Sequence, residues 1–174
     1  PVAKAFSTDI GNEVSSLGVQ VHGGMGYIEE TGAAQHFRDA RIAAIYEGTN
    51  GIQAIDLVTR KVPVEGGKTV DMYIDELRLT VKSVQSSNAP EFGETGARLG
   101  EAVDSLERAT RWLLAQKGSD AALAGATPYL RLFGSAAGGC MLAEEALASL
   151  RAGDGTTRSL LARFFAENIA IQAN

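Results

Sequence analysis

The amino-acid sequence predicts an all-α protein, and three observations carry that prediction. Apolar residues recur at spacings of three and four over long stretches. No period-two alternation of strand length occurs. Glycine or proline interrupts each apolar pattern where a helix of ordinary length would end.

The elements follow in order. Val2, Phe6, Ile10, Val14, Leu17 and Val21 form one apolar face of a helix about five turns long. Gly23-Gly24 ends it, because glycine tolerates a left-handed cap. Residues 24–31 read as a connection, and a second helix is expected from Thr31 or Gly32 to about Ile42. Gly48 breaks that pattern and Thr49 can cap a third helix, whose expected face is Ile52, Ile55 and Val58. Residues 62–68, VPVEGGK, read as a linker between a segment of residues 1–61 and a separate unit of residues 69–174. In that unit Val70, Tyr73, Leu77, Val81 and Val84 mark one helix, and Leu99, Val103, Leu106, Thr110 and Leu113 a second. A third pattern runs from Leu123 to Leu150, with Pro128 near its start, where proline costs least. After the stop RAGDG, Leu160, Leu161, Phe164, Phe165 and Ile169 mark a fourth. Four amphipathic helices with short connections predict an antiparallel bundle.

Composition narrows the function classes. The chain has 174 residues, 45% apolar and 21% charged, which is a globular composition able to bury a core. A net charge of −5 without a Lys/Arg cluster argues against nucleic acid as partner. No apolar run reaches the roughly 18–20 residues that span a bilayer, and no signal-peptide pattern stands at the start. Cys140 is the single cysteine, so an internal disulfide and a thiolate metal cluster are excluded. With Met141 and Leu142 beside it, Cys140 reads as a small buried apolar residue in a reducing compartment. The opening Pro1-Val2-Ala3-Lys4 runs straight into helical periodicity, from which a piece of a longer protein is expected.

Several chemistries fail on spacing. His22 and His36 lie 14 residues apart without an HExxH pattern, so no metal site is expected. No G-x-S-x-G occurs. Gly23-Gly24-x-Gly26 follows a helix rather than a strand, so a dinucleotide fingerprint is not met. These glycines serve either a helix cap and tight turn or the close approach of a ligand to backbone N–H groups. Glu47 is open in the same way. It is either a solvated loop acid or, following the apolar run Ile42 to Tyr46, an acid partly out of water, the setting of a general base. Gly48 removes bulk beside it.

Three elements then carry a resemblance: Gln20-x-x-Gly23-Gly24-x-Gly26-Tyr27, Arg38-Asp39-Ala40 and Ile45-Tyr46-Glu47-Gly48-Thr49. In order and separation they resemble the C-terminal part of the acyl-CoA dehydrogenase catalytic core, over about 60 residues. The remaining two thirds resemble the helical C-terminal extension of larger bacterial members, including those of the methylthiopropanoyl-CoA dehydrogenase-like type. The resemblance implies an all-α architecture in which the end of the family's helical core is followed by a helical bundle. It implies FAD as cofactor and an acyl-CoA substrate that is desaturated between its α- and β-carbons. Glu47 would be the base for the Cα proton, and its backbone N–H one donor to the thioester carbonyl. Gln20, Val21, His22, Gly23 and Gly24 would hold the ADP half of FAD, typically that of a neighbouring subunit. Thr49, Asn50 and Gly51 would make a further FAD contact, Gly51 standing where many relatives carry glutamine. Tyr46 would line the acyl pocket, with Gly48 leaving room for substrate. Arg38-Asp39 is expected to be structural, as an ion pair or cap.

The same resemblance implies electron-transfer flavoprotein or a similar acceptor as partner, a dimeric or tetrameric homo-oligomer, and a bacterial cytoplasmic location. Two alternatives stay open: an acyl-CoA oxidase passing electrons to oxygen, and a non-catalytic helical assembly module. A nitroalkane-oxidising relative fits less well, because that chemistry goes with aspartate at the position of Glu47. Alone, the 174-residue chain is expected to be colourless and inactive.

Overall fold

The computed structural model describes residues 1–173, among which helices and turns occur and no strand. The helices are α1 (Val2–Val21), α2 (Gly24–Tyr27), α3 (Ala33–Ala43), α4 (Asn50–Asp56), α5 (Lys68–Ser87), α6 (Thr95–Ala115), α7 (Asp120–Ala124), α8 (Ala126–Ala152) and α9 (Thr156–Asn168). The predicted all-α class is the observed one.

The expected faces of α5 and α6 are the buried ones. Val70, Leu77, Val81 and Val84 on α5 meet Leu99, Val103, Leu106 and Leu113 on α6. The two helices run antiparallel: Gly96 lies against Gln85, Gly100 against Val81, and Arg78 binds Asp104 and Glu107 on the next turns. On the inner side, the Thr110 and Tyr129 hydroxyls share a buried hydrogen bond of 2.8 Å, and Tyr129 meets Phe133 edge-on. Helices α8 and α9 return antiparallel through Gly155 against Leu150, the Arg158–Glu145 pair at 2.9 Å, and Phe165 over Gly138 and Gly139. The result is an up-down-up-down bundle of α5, α6, α8 and α9.

Three patterns resolve differently from expectation. On α9 the buried residues are Ser159, Ala162 and Ala166, whereas Leu160, Leu161 and Phe164 face outward, Phe164 with 60% of its surface exposed. On α8, Gly138 and Gly139 leave the space that the large Phe165 of α9 covers, while Cys140 turns to α5, its thiol 3.9 Å from Leu77 O. On α4 the buried residue is Ala54, and the chain then winds as a π-turn over Leu57–Lys61, burying Leu57 and Val58 while Ile52 and Ile55 stay exposed. The Leu123 pattern begins in the separate short helix α7, broken from α8 at Gly125, and Leu123 is exposed.

Residues 62–68 carry structure of their own. Val62 is buried, Val64–Gly67 forms a tight turn with Glu65 and Gly66 in left-handed conformations, and Gly67, at φ 100°, lies where a Cβ would meet Leu114 at 2.6 Å. Helix α1 packs on α3, α4 and α8. Its apolar stripe splits: Val2 and Phe6 join the core with Ala5, while Ile10, Val14, Leu17 and Val21 are exposed, Val21 by 86%. Phe6 fills the notch at Gly134, where a Cβ would come within 2.3 Å of its ring. Residues from 1–61 and from the bundle thereby share one buried core. No helix among the described residues is long and apolar enough to cross a membrane.

Candidate functional site

Helix α3 ends at Ala43 because the chain curls back: Ile45 N and Tyr46 N both donate to Ile42 O, at 2.9 and 3.1 Å. Glu47 and Gly48 then take left-handed conformations, with φ 54° and 83°. For Gly48 this is free of Cβ strain, but for Glu47 it costs about 1–3 kcal/mol and must be held by its surroundings. Thr49 restarts the helix as expected, its Oγ1 accepting from Ile52 N at 3.4 Å, and Asn50 N closes the loop on Ala44 O at 3.2 Å.

The holding groups come from two helices. From α4, Gln53 Nε2 donates to Glu47 O at 3.0 Å. From α1, Lys4 Nζ donates to Gly48 O at 3.0 Å and to Asn50 Oδ1 at 2.8 Å, and stands 5.9 Å from the centre of the Tyr46 ring. The Asn50 amide is spent on α1 as well: Nδ2 donates to Ala5 O, Thr8 Oγ1 and Asp9 Oδ1 at 3.1, 2.9 and 2.6 Å. Of the predicted contact residues Thr49, Asn50 and Gly51, Asn50 therefore has its side chain turned into the protein, and Thr49 and Gly51 are exposed.

The partial burial expected for Glu47 is not found within this chain. Glu47 is exposed, and so are Ile42, Ile45 and Tyr46, the last by 51%. The apolar run before the acid faces outward instead of closing a dry pocket over it.

The glycine segment sits at the other end of α1. Gln20, Val21, His22, Gly23 and Gly24 are all exposed. The three glycines have different reasons to be glycine. Gly23 adopts φ 60°, ψ −143°, which a Cβ disfavours. Gly26 is buried so closely on α1 that a Cβ would stand 2.2 Å from Val19 O. Gly24 has neither constraint: its φ is negative and nothing lies within 4 Å of its would-be Cβ. Beside this segment a groove of about 710 Å³ is lined by Val19, Tyr27, Ile28, Phe37 and Arg38. Arg38 pairs with Glu29 at 2.9 Å across that groove, an exposed ion pair, rather than with its neighbour Asp39. The Glu29 carboxylate hydrogen-bonds the guanidinium and raises the pKa of Arg38.

At 1.5 Å per residue, the Gln20–Gly24 segment lies roughly 25–30 Å from the Lys4 turn along the direction of α1. The Glu47 loop and the glycine segment thus present two separate surfaces of one chain. No group of three or more His, Cys, Asp or Glu side chains suited to a metal occurs among the described residues. Sequence reasoning missed Lys4 and Gln53, whose contacts with the loop only the fold reveals.

Comparison with known proteins accounts for both halves. Residues 1–62 match the family model described as "Acyl-CoA dehydrogenase, C-terminal domain". Residues 73–174, more than half of the chain, match the model described as "Acetyl-CoA dehydrogenase C-terminal like". The chain is 45% identical over 151 residues to 3-methylmercaptopropionyl-CoA dehydrogenase of Ruegeria pomeroyi, covering 86% of this chain and 26% of that protein. It is 31% identical over 102 residues to a butyryl-CoA dehydrogenase of Syntrophomonas wolfei, covering 59% and 16%. To the caffeyl-CoA reductase-Etf complex subunit CarC of Acetobacterium woodii it is 44% identical over 52 residues, covering 30% and 14%. The chain therefore spans about a quarter or less of the length of these relatives. Matched along its two helical segments in turn, the chain belongs to the acyl-CoA dehydrogenase family.

Proposed function

We propose that this chain supplies the catalytic base of a flavin-dependent acyl-CoA dehydrogenase, and that Glu47 is that base. The observation that carries the reading is the Glu47 loop: an exposed carboxylate on a left-handed turn whose carbonyls are gripped by Lys4 and Gln53. Strain held in place at an exposed acid fits a group positioned for a proton better than a solvated loop.

In this reading the Glu47 carboxylate takes the proton from the acyl Cα, and its backbone N–H donates to the thioester carbonyl, which makes that proton acidic. Tyr46 lines the acyl pocket and Gly48 leaves room for the thioester. Bound FAD would supply the two-electron acceptor for the hydride lost from Cβ, so that the α,β double bond would form with electrons in balance. The cofactor segment fits the polar ADP half: Gln20 and His22 are exposed, and Gly24 has open space where a side chain would stand. The length of α1 that separates the Lys4 turn from that segment, roughly 25–30 Å, supports Gln20 to Gly24 serving the FAD of a neighbouring subunit. Names of the relatives support a short acyl-CoA of 3-methylmercaptopropionyl or butyryl size and an electron-transfer flavoprotein as acceptor. The bacterial organism of the first of them supports a bacterial setting, with the cytoplasm as the proposed compartment.

A second reading, a helical assembly module, is favoured by one observation: α1 and α9 leave Val14, Leu17, Val21, Leu160, Leu161 and Phe164 exposed. It is compatible with the first, since a homo-oligomer would cover such faces.

The test is Glu47→Gln in a polypeptide carrying this chain at the full length of its relatives. Loss of α,β-desaturation by about 10²–10⁴-fold is expected. Retained activity overturns Glu47 as base. A dye acceptor run anaerobically against oxygen separates dehydrogenase from oxidase. The 174-residue chain alone is expected to be colourless and inactive, and a flavin absorption band in it would overturn that expectation.

A further inference from the structure

The Glu47–Gly48 turn is the one place among the described residues where two consecutive left-handed residues sit beside an exposed, chemically apt acid with both of their carbonyls engaged by side chains. Glu65-Gly66-Gly67 is also left-handed but ends in a buried glycine against Leu114. At the Glu47 turn, Gln53 reaches from α4 to the carbonyl of Glu47, and Lys4 reaches from α1 to the carbonyl of Gly48. The Lys4 ammonium also touches the residues flanking the turn: it bonds Asn50 Oδ1 at 2.8 Å and stands over the Tyr46 ring at 5.9 Å. An ammonium carries three donors and no acceptor, and two of the three go to Gly48 O and Asn50 Oδ1 of the loop. Asn50 is in turn anchored on Ala5, Thr8 and Asp9 of α1.

We propose that Lys4 and Gln53 are positioning residues that lock the Glu47–Gly48 turn in its left-handed form and so aim the Glu47 carboxylate and N–H at the substrate. This rests on Glu47 being the base. Released from either clamp, Glu47 relaxes toward an ordinary negative φ, which swings both its side chain and its amide. A misplacement of about 1 Å is enough to cost on the order of 10²-fold in rate.

The experiment uses the full-length enzyme with Lys4→Met, Lys4→Arg and Gln53→Leu. Lys4→Met keeps the apolar stem and removes the charge and donors. Expected are a 10–100-fold fall in kcat with KM changed less than threefold, recovery of at least half of the loss in Lys4→Arg, and a comparable fall in Gln53→Leu. Amide hydrogen exchange of the peptide spanning 44–51 should quicken at least tenfold in Lys4→Met and Gln53→Leu, while exchange in α5 and α6 stays at the parent rate. If Lys4→Met unfolds the enzyme, the Gln53→Leu result decides alone. Wild-type kcat with wild-type loop exchange overturns the proposal. So does faster exchange spread evenly over the whole chain, the mark of a merely structural lysine. Should Glu47→Gln remain active while the loop exchange quickens as expected, the reading of Glu47 as base has failed and not the clamp.

Discussion

Two glycines one helical turn apart on α8 should respond differently to alanine, one gaining stability and the other not. At Gly138 an added Cβ meets Phe165 Cζ at 3.8 Å and Phe6 Cε1 at 4.0 Å, which is ordinary van der Waals contact. Gly138→Ala therefore gains the helix-interior preference of alanine, about 1 kcal/mol. At Gly134 the added Cβ stands 2.3, 2.4 and 2.9 Å from Phe6 Cδ2, Cγ and Cε2. Cγ is the root of the ring, so the tip cannot swing aside alone: Phe6 must leave the notch or α1 must shift. Overpacking of this kind costs roughly 1–3 kcal/mol, and in Gly134→Ala it cancels or outweighs the same backbone gain. The two variants should differ by the cost of the clash, about 1–3 kcal/mol, or roughly 2–12 °C in Tm for a chain of this length. Urea unfolding followed by far-UV circular dichroism measures the difference, provided the slope is unchanged. In a Phe6→Ala background the clash is gone and Gly134→Ala should become stabilising. Equal stabilisation by both alanines in the wild-type background, or no gain from Gly134→Ala with Phe6→Ala, would refute the seating of Phe6 on Gly134.

Two further predictions concern titration. Burial, with a contribution from Glu144, pushes the Cys140 thiol up to about 12, so at pH 8 the native chain should resist a thiol-specific disulfide reagent that labels it at once in urea; rapid native labelling would contradict a closed core there. Hydrogen bonds from Arg78, then from Arg111, hold the Glu107 carboxyl below its ordinary value. A lowered folded pKa contributes stability above the unfolded value of about 4.3, and that stability is lost as pH falls through the folded one. Arg78→Met should therefore cost about 0.5–1 kcal/mol at pH 7, with the gap to the parent closing toward pH 3; a gap independent of pH would mean the pairing contributes packing alone.

The fold was legible where large apolar residues do the packing. The spacings in α5 and α6 name the buried positions because both helices present a leucine–valine stripe to each other. They fail on α9, where Ser159, Ala162 and Ala166 go inside and Phe165 alone of the large residues covers α8, over Gly138 and Gly139. Spacing arguments rank a site by side-chain size, and close helix contact inverts that ranking. The Glu47 loop was legible as a break at Gly48 with a cap at Thr49, and Glu47 itself stood out from the motif around it. Its exposure was not, because the apolar run Ile42 to Tyr46 says nothing about which side it faces. Nor was its left-handed φ legible, since glycine at 48 accounts for one such residue and not two. Lys4 was out of reach for a simpler reason: its contact with Gly48 spans 44 residues of chain.

The first two turns of α1 are gripped on two sides. Ala5 and Phe6 are seated in the bundle, Phe6 in the Gly134 notch, while Lys4, Thr8 and Asp9 bind the segment from Gly48 to Asn50. The helix acts as a shared beam, with the acid hung from one flank and the C-terminal helices bolted to the other. The packing of α8 can therefore bear on the height at which that acid is carried. Gly134 and the Glu47 loop stand on opposite flanks of one helix, a single helix diameter apart.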